Sequence, residues 1–230
     1  MSPSIATNIA ELNQRIHRAK EKFSRTAENI DLMAVSKTRP AQAIREAYAA
    51  GISNIGENYL QEAVEKIQQL KELPVTWHFI GPIQSNKTST ISEHFHWVHS
   101  IDRLKIAQRL NNQRPTALAP LNVCIQVNID DEASKSGISL EALPKLAQEI
   151  ASLPRLRLRG LMAIPKASNE IKKQRASFAR LHEAFLLLQQ HHAHLDTLSM
   201  GMSKDMEAAI AEGTTILRIG TDIFGARNPT

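Results

Sequence analysis

From Asp31 onward the sequence alternates short apolar runs with longer stretches of helical periodicity, and it does so eight times. The runs predicted as strands are 31–36, 52–56, 75–80, 95–99, 121–128, 158–161, 195–198 and 215–219. Between them the apolar spacing predicts helices over 40–50, 60–70, a short stretch after Gln84, 102–110, 139–153, 171–190 and 204–211. Pro40 opens and Gly51 stops the first of these, and Asp102 is expected to cap the helix that follows the fourth strand. Strands joined through helices run parallel, because right-handed crossovers return each strand in the same direction, and eight such units close into a barrel. An open doubly wound sheet is the alternative. The barrel is preferred because the spacing stays even and no Gly-x-Gly-x-x-Gly turn opens the first unit. The expected fold is therefore α/β, a TIM-type (β/α)8 barrel, and 230 residues suit one such domain.

Ahead of the first strand, Ile5, Ile9, Leu12, Ile16, Ala19 and Phe23 recur at steps of three or four, which predicts one amphipathic helix over 5–26. The chain is read as a single domain over 1–230, with residues 1–27 forming an extra helix that packs on the barrel. No linker rich in Gly, Ser or Pro divides it.

Charge and cysteine content narrow the function classes. The net charge is +5, and basic residues are mostly interleaved with acidic ones. The exception is 155–180, where Arg155, Arg157, Arg159, Lys166, Lys172, Lys173, Arg175 and Arg180 face Glu170 alone. That segment carries no aromatic platform or nucleic-acid motif, so it reads as a solvated face and no nucleic-acid partner is expected. Cys124 is the single cysteine, which removes any intramolecular disulfide and favours a reducing, cytoplasmic setting. No apolar run reaches membrane-spanning length, and the first residues lack the pattern of an export leader. Metal binding is not expected either: strand alternation would put His94 and His96 on one face and His99 on the other, and His191, His192 and His194 sit in a polar helix end.

In a parallel barrel the working face lies at the carboxyl ends of the strands, so chemistry should fall where each apolar run stops. Lys37 closes the first run with the parity of Met33 and Val35. A lysine partly desolvated there loses proton affinity and becomes an amine nucleophile suited to a Schiff base. Glu57, Asn58 and Tyr59 follow the second run and would offer a carboxylate, an amide and a phenol at the same rim, or simply a helix-capping turn. His78 in the third run reads as a catalytic candidate or as a hydrogen-bonded core residue. Gly201 and Ser203 after the seventh run, with Gly220 and Thr221 after the eighth, supply backbone amides and hydroxyls of the kind that hold a phosphate in barrel enzymes. Arg218 interrupts the last apolar run, so its guanidinium needs either an acidic neighbour or a ligand acceptor.

The fragments AVSKT (34–38), IGENY (55–59), HFIGPIQSNK (78–87), VN (127–128), GLM (160–162), SMGMS (199–203), RIGT (218–221) and IFGAR (223–227) together resemble the pyridoxal-phosphate homeostasis protein family. Its members are single-domain relatives of the barrel domain of bacterial alanine racemase. The resemblance implies that Lys37 carries pyridoxal 5'-phosphate as an aldimine. It also implies that Met202, Ser203, Gly220 and Thr221 surround the phosphate, that Arg218 faces the pyridine nitrogen, and that Asn58 and Ile80 line the ring. It further implies a non-catalytic handler of pyridoxal phosphate, not an enzyme, that acts in its supply and in amino and keto acid balance; a cytoplasmic monomer is expected, with PLP-dependent apoenzymes as candidate partners. The alternative is a weak amino-acid racemase or decarboxylase on the same lysine.

Overall fold

The computed structural model describes residues 3–132 and 136–226. Arg227, at the end of the last fragment quoted above, lies outside the described residues. Eight strands form a closed barrel in chain order: β1 (Asp31–Val35), β2 (Asn54–Glu57), β3 (Thr76–Phe79), β4 (Trp97–Ile101), β5 (Leu121–Val127), β6 (Leu156–Ala163), β7 (Thr197–Ser199) and β8 (Ile216–Ile219). All eight pairings are parallel, and β8 closes on β1 with Met33 opposite Arg218. The expected (β/α)8 barrel is the observed architecture.

The helices are α1 (Ile5–Lys22), α2 (Ala41–Ala49), α3 (Leu60–Gln69), α4 (Thr88–His94), α5 (Leu104–Gln113), α6 (Leu143–Ala151), α7 (Ile171–Gln189), α8 (Met206–Ala211) and α9 (Thr221–Phe224). The main core lies between strands and helices, where outward-facing residues such as Ala34, Ile55, Trp77 and Leu217 meet the helices' apolar faces. A smaller apolar cluster of Met33, Ile80 and Ile216, with Val35 against it, lies in the barrel's interior. Burying an aliphatic side chain of this size contributes roughly 1.5–3 kcal/mol, which outweighs the modest helix propensity of the short segments. Helix α1 buries Ile9, Leu12, Ile16 and Ala19 and packs on α8, α9 and α2.

Several sequence expectations need correction. Helix α1 stops at Lys22 rather than at 26, because Ser24 turns left-handed (φ 57°) and Arg25 is anchored to the carbonyls of Ile210 and Thr214. Asp102 does not cap α5: Arg103 is the N-cap residue and Asp102 pairs with its guanidinium at 2.7 Å. Helix α6 begins at Leu143 rather than 139. His94 is not on a strand at all. It ends α4, while His96 accepts the Trp77 N–H at 3.0 Å just before β4 begins. Alternation counted from Phe95 therefore started one element too early.

The basic segment 155–180 is dispersed by the fold. Arg159 pairs with Asp196 and stacks over Trp97, Arg155 donates to the Arg114 carbonyl, Arg175 pairs with Glu212, and Lys173 pairs with Glu170.

Candidate functional site

The predicted site residues leave the barrel at the carboxyl ends of β7, β8, β1, β2 and β3, five neighbours in the closed sheet. Lys37 follows β1 in a turn, and Ser36 immediately before it is fully buried. Ile80 follows β3 and packs inward with Met33 and Ile216, giving the mouth an apolar floor. Gly56 belongs to that floor as well, since a Cβ there would lie 2.6 Å from Met33 Sδ.

Asn58 ends β2. It does not cap α3, whose N-cap is Tyr59 without a side-chain bond, and its Oδ1 is buried with no partner among the described residues. An unpaired buried carbonyl costs about 1–3 kcal/mol, so an oxygen held in this state suits a ligand's donor. Gly81 is required close by, because a Cβ would fall 2.2 Å from the Asn58 carbonyl oxygen. Glu57 departs from expectation. It is the last residue of β2, fully buried and turned outward, away from the rim it was expected to share with Asn58. Tyr59 is 52% exposed.

Arg218 lies in the barrel interior, 4% exposed. Its Nη1 donates to the Ser199 carbonyl and, at 2.9 Å, to Ser199 Oγ; its Nη2 donates to the Ala163 carbonyl at 2.9 Å. No carboxylate among the described residues lies within ion-pair distance of it. Burial lowers its pKa to about 10, which leaves the guanidinium charged at neutral pH. A buried cation satisfied only by neutral oxygens attracts an anionic or lone-pair ligand.

The loops after β7 and β8 are stitched together, with the Arg218 N–H donating to the Gly201 carbonyl at 3.0 Å. Gly201 (φ 95°) is glycine for packing, since a Cβ would strike Ala209 and Leu217. Gly220 abuts the Val35 carbonyl, with 3.2 Å for an added Cβ, which sets the β8 loop directly against the strand that ends in Lys37. The Met202 N–H is held by Asp205 Oδ1 at 2.6 Å, and Ser203 borders an open cleft with Asn169 and Gln174. Thr221 is exposed at the start of α9.

Beneath the mouth runs a buried chain: His78 Nε2 to Asn54 Oδ1 at 3.1 Å, His78 Nδ1 to His99 Nε2 at 2.9 Å, and His99 Nδ1 to Ser199 Oγ at 2.8 Å, ending on Arg218. Burial pushes His78 down to about 3 and His99 well below the ordinary histidine value, so both rings are neutral at pH 7. His78 is thus the hydrogen-bonded core residue of its two sequence readings. From sequence, His99 is weighed only as a metal ligand and Ser199 only as part of the SMGMS fragment; the hydrogen-bonded chain they form follows from their inward parity in β4 and β7.

The fold and this arc define a barrel that presents an amine, a buried cation and a glycine-lined loop pair at one mouth, over an apolar floor. The sequence profile described as "Alanine racemase, N-terminal domain" matches residues 7–228. A pyridoxal phosphate homeostasis protein of Pseudomonas aeruginosa is 60% identical over 225 residues, covering 98% of this chain and 96% of that protein. The protein of the same name from Escherichia coli strain K12 is 56% identical, covering 97% of each chain. PipY of Synechococcus elongatus, solved with PLP bound, superposes with a TM-score of 0.84 at 37% identity, covering 96% of this chain and 100% of that one. The chain belongs to the alanine racemase N-terminal domain family and, within it, to the pyridoxal phosphate homeostasis proteins.

Proposed function

We propose that this protein binds pyridoxal 5'-phosphate as an aldimine on Lys37 and acts in intracellular PLP homeostasis and amino and keto acid balance, handing the cofactor to apoenzymes rather than turning over a substrate. The names of the relatives and the PLP bound in PipY support the ligand. The observation that carries the reading is Arg218, a buried cation with no carboxylate partner among the described residues, in the strand paired with the one that leads to Lys37.

Bound PLP supplies an electrophilic aldehyde and a ring whose nitrogen draws electrons when protonated. Arg218 would donate to that nitrogen and keep it unprotonated, because a guanidinium does not release its proton. That weakens the electron sink and favours holding over turnover. Asn58 Oδ1 would accept from the ligand, Met33 and Ile80 would lie under the ring, and Met202, Ser203, Gly220 and Thr221 would enclose the phosphate. A cytosolic location agrees with Cys124 being the single cysteine of the chain.

The test is borohydride reduction of the PLP-loaded protein followed by peptide mass spectrometry. The expected adduct lies on Lys37, and Lys37→Ala removes it from that peptide; an adduct confined to other lysines sinks the assignment. Exchange of an amino acid's α-proton with solvent deuterium, abolished by Lys37→Ala, would instead establish a racemase-type or decarboxylase-type activity.

A further inference from the structure

On the outer side of the barrel wall, behind Lys37, lies a charged cluster that the proposed cofactor site does not use. Glu57 is fully buried and Lys66 is 5% exposed. Lys66 Nζ donates to Glu57 Oε1 at 2.7 Å, to Glu62 Oε1 at 2.5 Å and to the Ser36 carbonyl at 2.7 Å. Ser36 Oγ donates to Glu57 Oε1 at 2.5 Å, and Glu62 Oε1 accepts the Thr38 N–H at 2.6 Å. The cluster therefore grips the peptide groups on both sides of Lys37: the carbonyl before it and the amide after it.

The gripped turn is a strained one. Thr38 has φ 63°, a region β-branched residues avoid and in which turns normally place glycine or asparagine. The Arg39 N–H closes the turn on the Ser36 carbonyl at 3.0 Å. A strained backbone persists only where its surroundings over-determine it. Apolar residues would fill the space behind the turn at least as stably as a buried ion cluster, so the charges call for a role beyond stability. They do not touch the mouth, since Gly56, their neighbour in β2, already faces inward against Met33 and Ile80.

Resting on the reading of Lys37 as the cofactor's attachment point, we infer that Glu62, together with Lys66 and Glu57, is a positioning residue: it fixes the Ser36–Arg39 turn so that the Lys37 amine meets the aldehyde. In that step the amine nitrogen adds to the aldehyde carbon, a C=N bond forms, and the aldehyde oxygen leaves as water with both amine hydrogens.

The experiment compares Glu62→Ala and Glu62→Gln with the unaltered protein in two binding assays. One follows the rate at which the imine absorbance rises with PLP. The other follows fluorescence titration with pyridoxine 5'-phosphate, which carries an alcohol in place of the aldehyde and forms no imine. Glu62→Ala is expected to slow imine formation about tenfold while leaving the analogue's affinity unchanged, the signature of lost orientation. Glu62→Gln, which keeps an oxygen for the Thr38 N–H, restores most of the rate. An unchanged rate in Glu62→Ala, or a rate and an analogue affinity that fall together, overturns the inference. Hydrogen exchange of the cofactor-free protein separates this from the site assignment. Faster exchange of the Thr38 amide in Glu62→Ala, with the β1 amides unaffected, is expected even if the reduced adduct is found away from Lys37. Unaltered Thr38 exchange overturns the clamp whatever the adduct's position.

Discussion

Two cations, Arg218 and Lys66, are buried to nearly the same degree on opposite sides of the barrel wall, and their surroundings differ in kind. Outside the wall, Lys66 is enclosed by two carboxylates and a carbonyl. Inside, Arg218 has carbonyls, a hydroxyl and, one step away, two neutral histidines. A compensated ion pair completes itself within the fold. A cation hydrogen-bonded only to neutral dipoles, with Asp205 acting on it from beyond ion-pair distance, keeps more of its field, which is what a site for an anionic cofactor requires. The comparison teaches that burial alone does not mark the functional charge; the sign of the partners does.

The largest effect that would test this contrast belongs to Lys66. Lys66→Met leaves Glu57 buried without its cation and should lose about 3–5 kcal/mol of unfolding free energy in urea titrations, with Glu57→Leu in the same chain recovering most of it. If the single variant is as stable as the parent, the outer cluster is not a compensated pair.

The interior answers to acid. His78 has its folded pKa depressed to about 3 from an ordinary 6.5, so the unfolded chain takes up the proton first. Stability is full above pH 6.5 and falls as pH drops toward 3, by roughly 2 kcal/mol for this group between pH 6.5 and 5. Urea titrations at both pH values should show a loss at least that large, and His78→Gln should remove His78's share while leaving the part that His99 contributes. A slope left unchanged by the substitution would place the acid sensitivity outside His78.

The smallest effect on stability, and the one that sharpens the contrast most, is at Arg218. Removing a buried charge that no carboxylate compensates is favourable and offsets the roughly 1–3 kcal/mol cost of unpairing the Ser199 and Ala163 acceptors, so the unfolding free energy should alter by about 1 kcal/mol or less. Binding of pyridoxine 5'-phosphate to Arg218→Met should nevertheless weaken by about tenfold, as measured by fluorescence titration. Strong destabilisation with unaltered binding would reverse the roles assigned to the two cations.

The barrel was legible because strand and helix periods alternate without interruption, and Lys37 stood out as a candidate because its parity follows Met33 and Val35. The outer cluster was not. In sequence, Glu57 reads as one rim residue among three, and Lys66 with Glu62 as a charged pair on a solvated helix face; only the seating of α3 against β2 buries them. Thr38 gave no signal, since its residue type argues against the backbone conformation it adopts. Asn58 was visible as a candidate, but its unpaired oxygen depends on Tyr59, not Asn58, beginning α3. Asp102 misled for a local reason: a capping residue type next to an arginine made an ion pair instead.

The mouth straddles the seam where the last strand meets the first. Gly220 rests on the Val35 carbonyl, and Arg39 reaches across to the carbonyls of Gly225 and Ala226. The two sides of this mouth come from segments 186 and 187 positions apart in the sequence, so neither side is complete until β8 has closed on β1. Ring closure and assembly of the mouth are therefore a single event, and any opening of the β8–β1 seam would take both apart together.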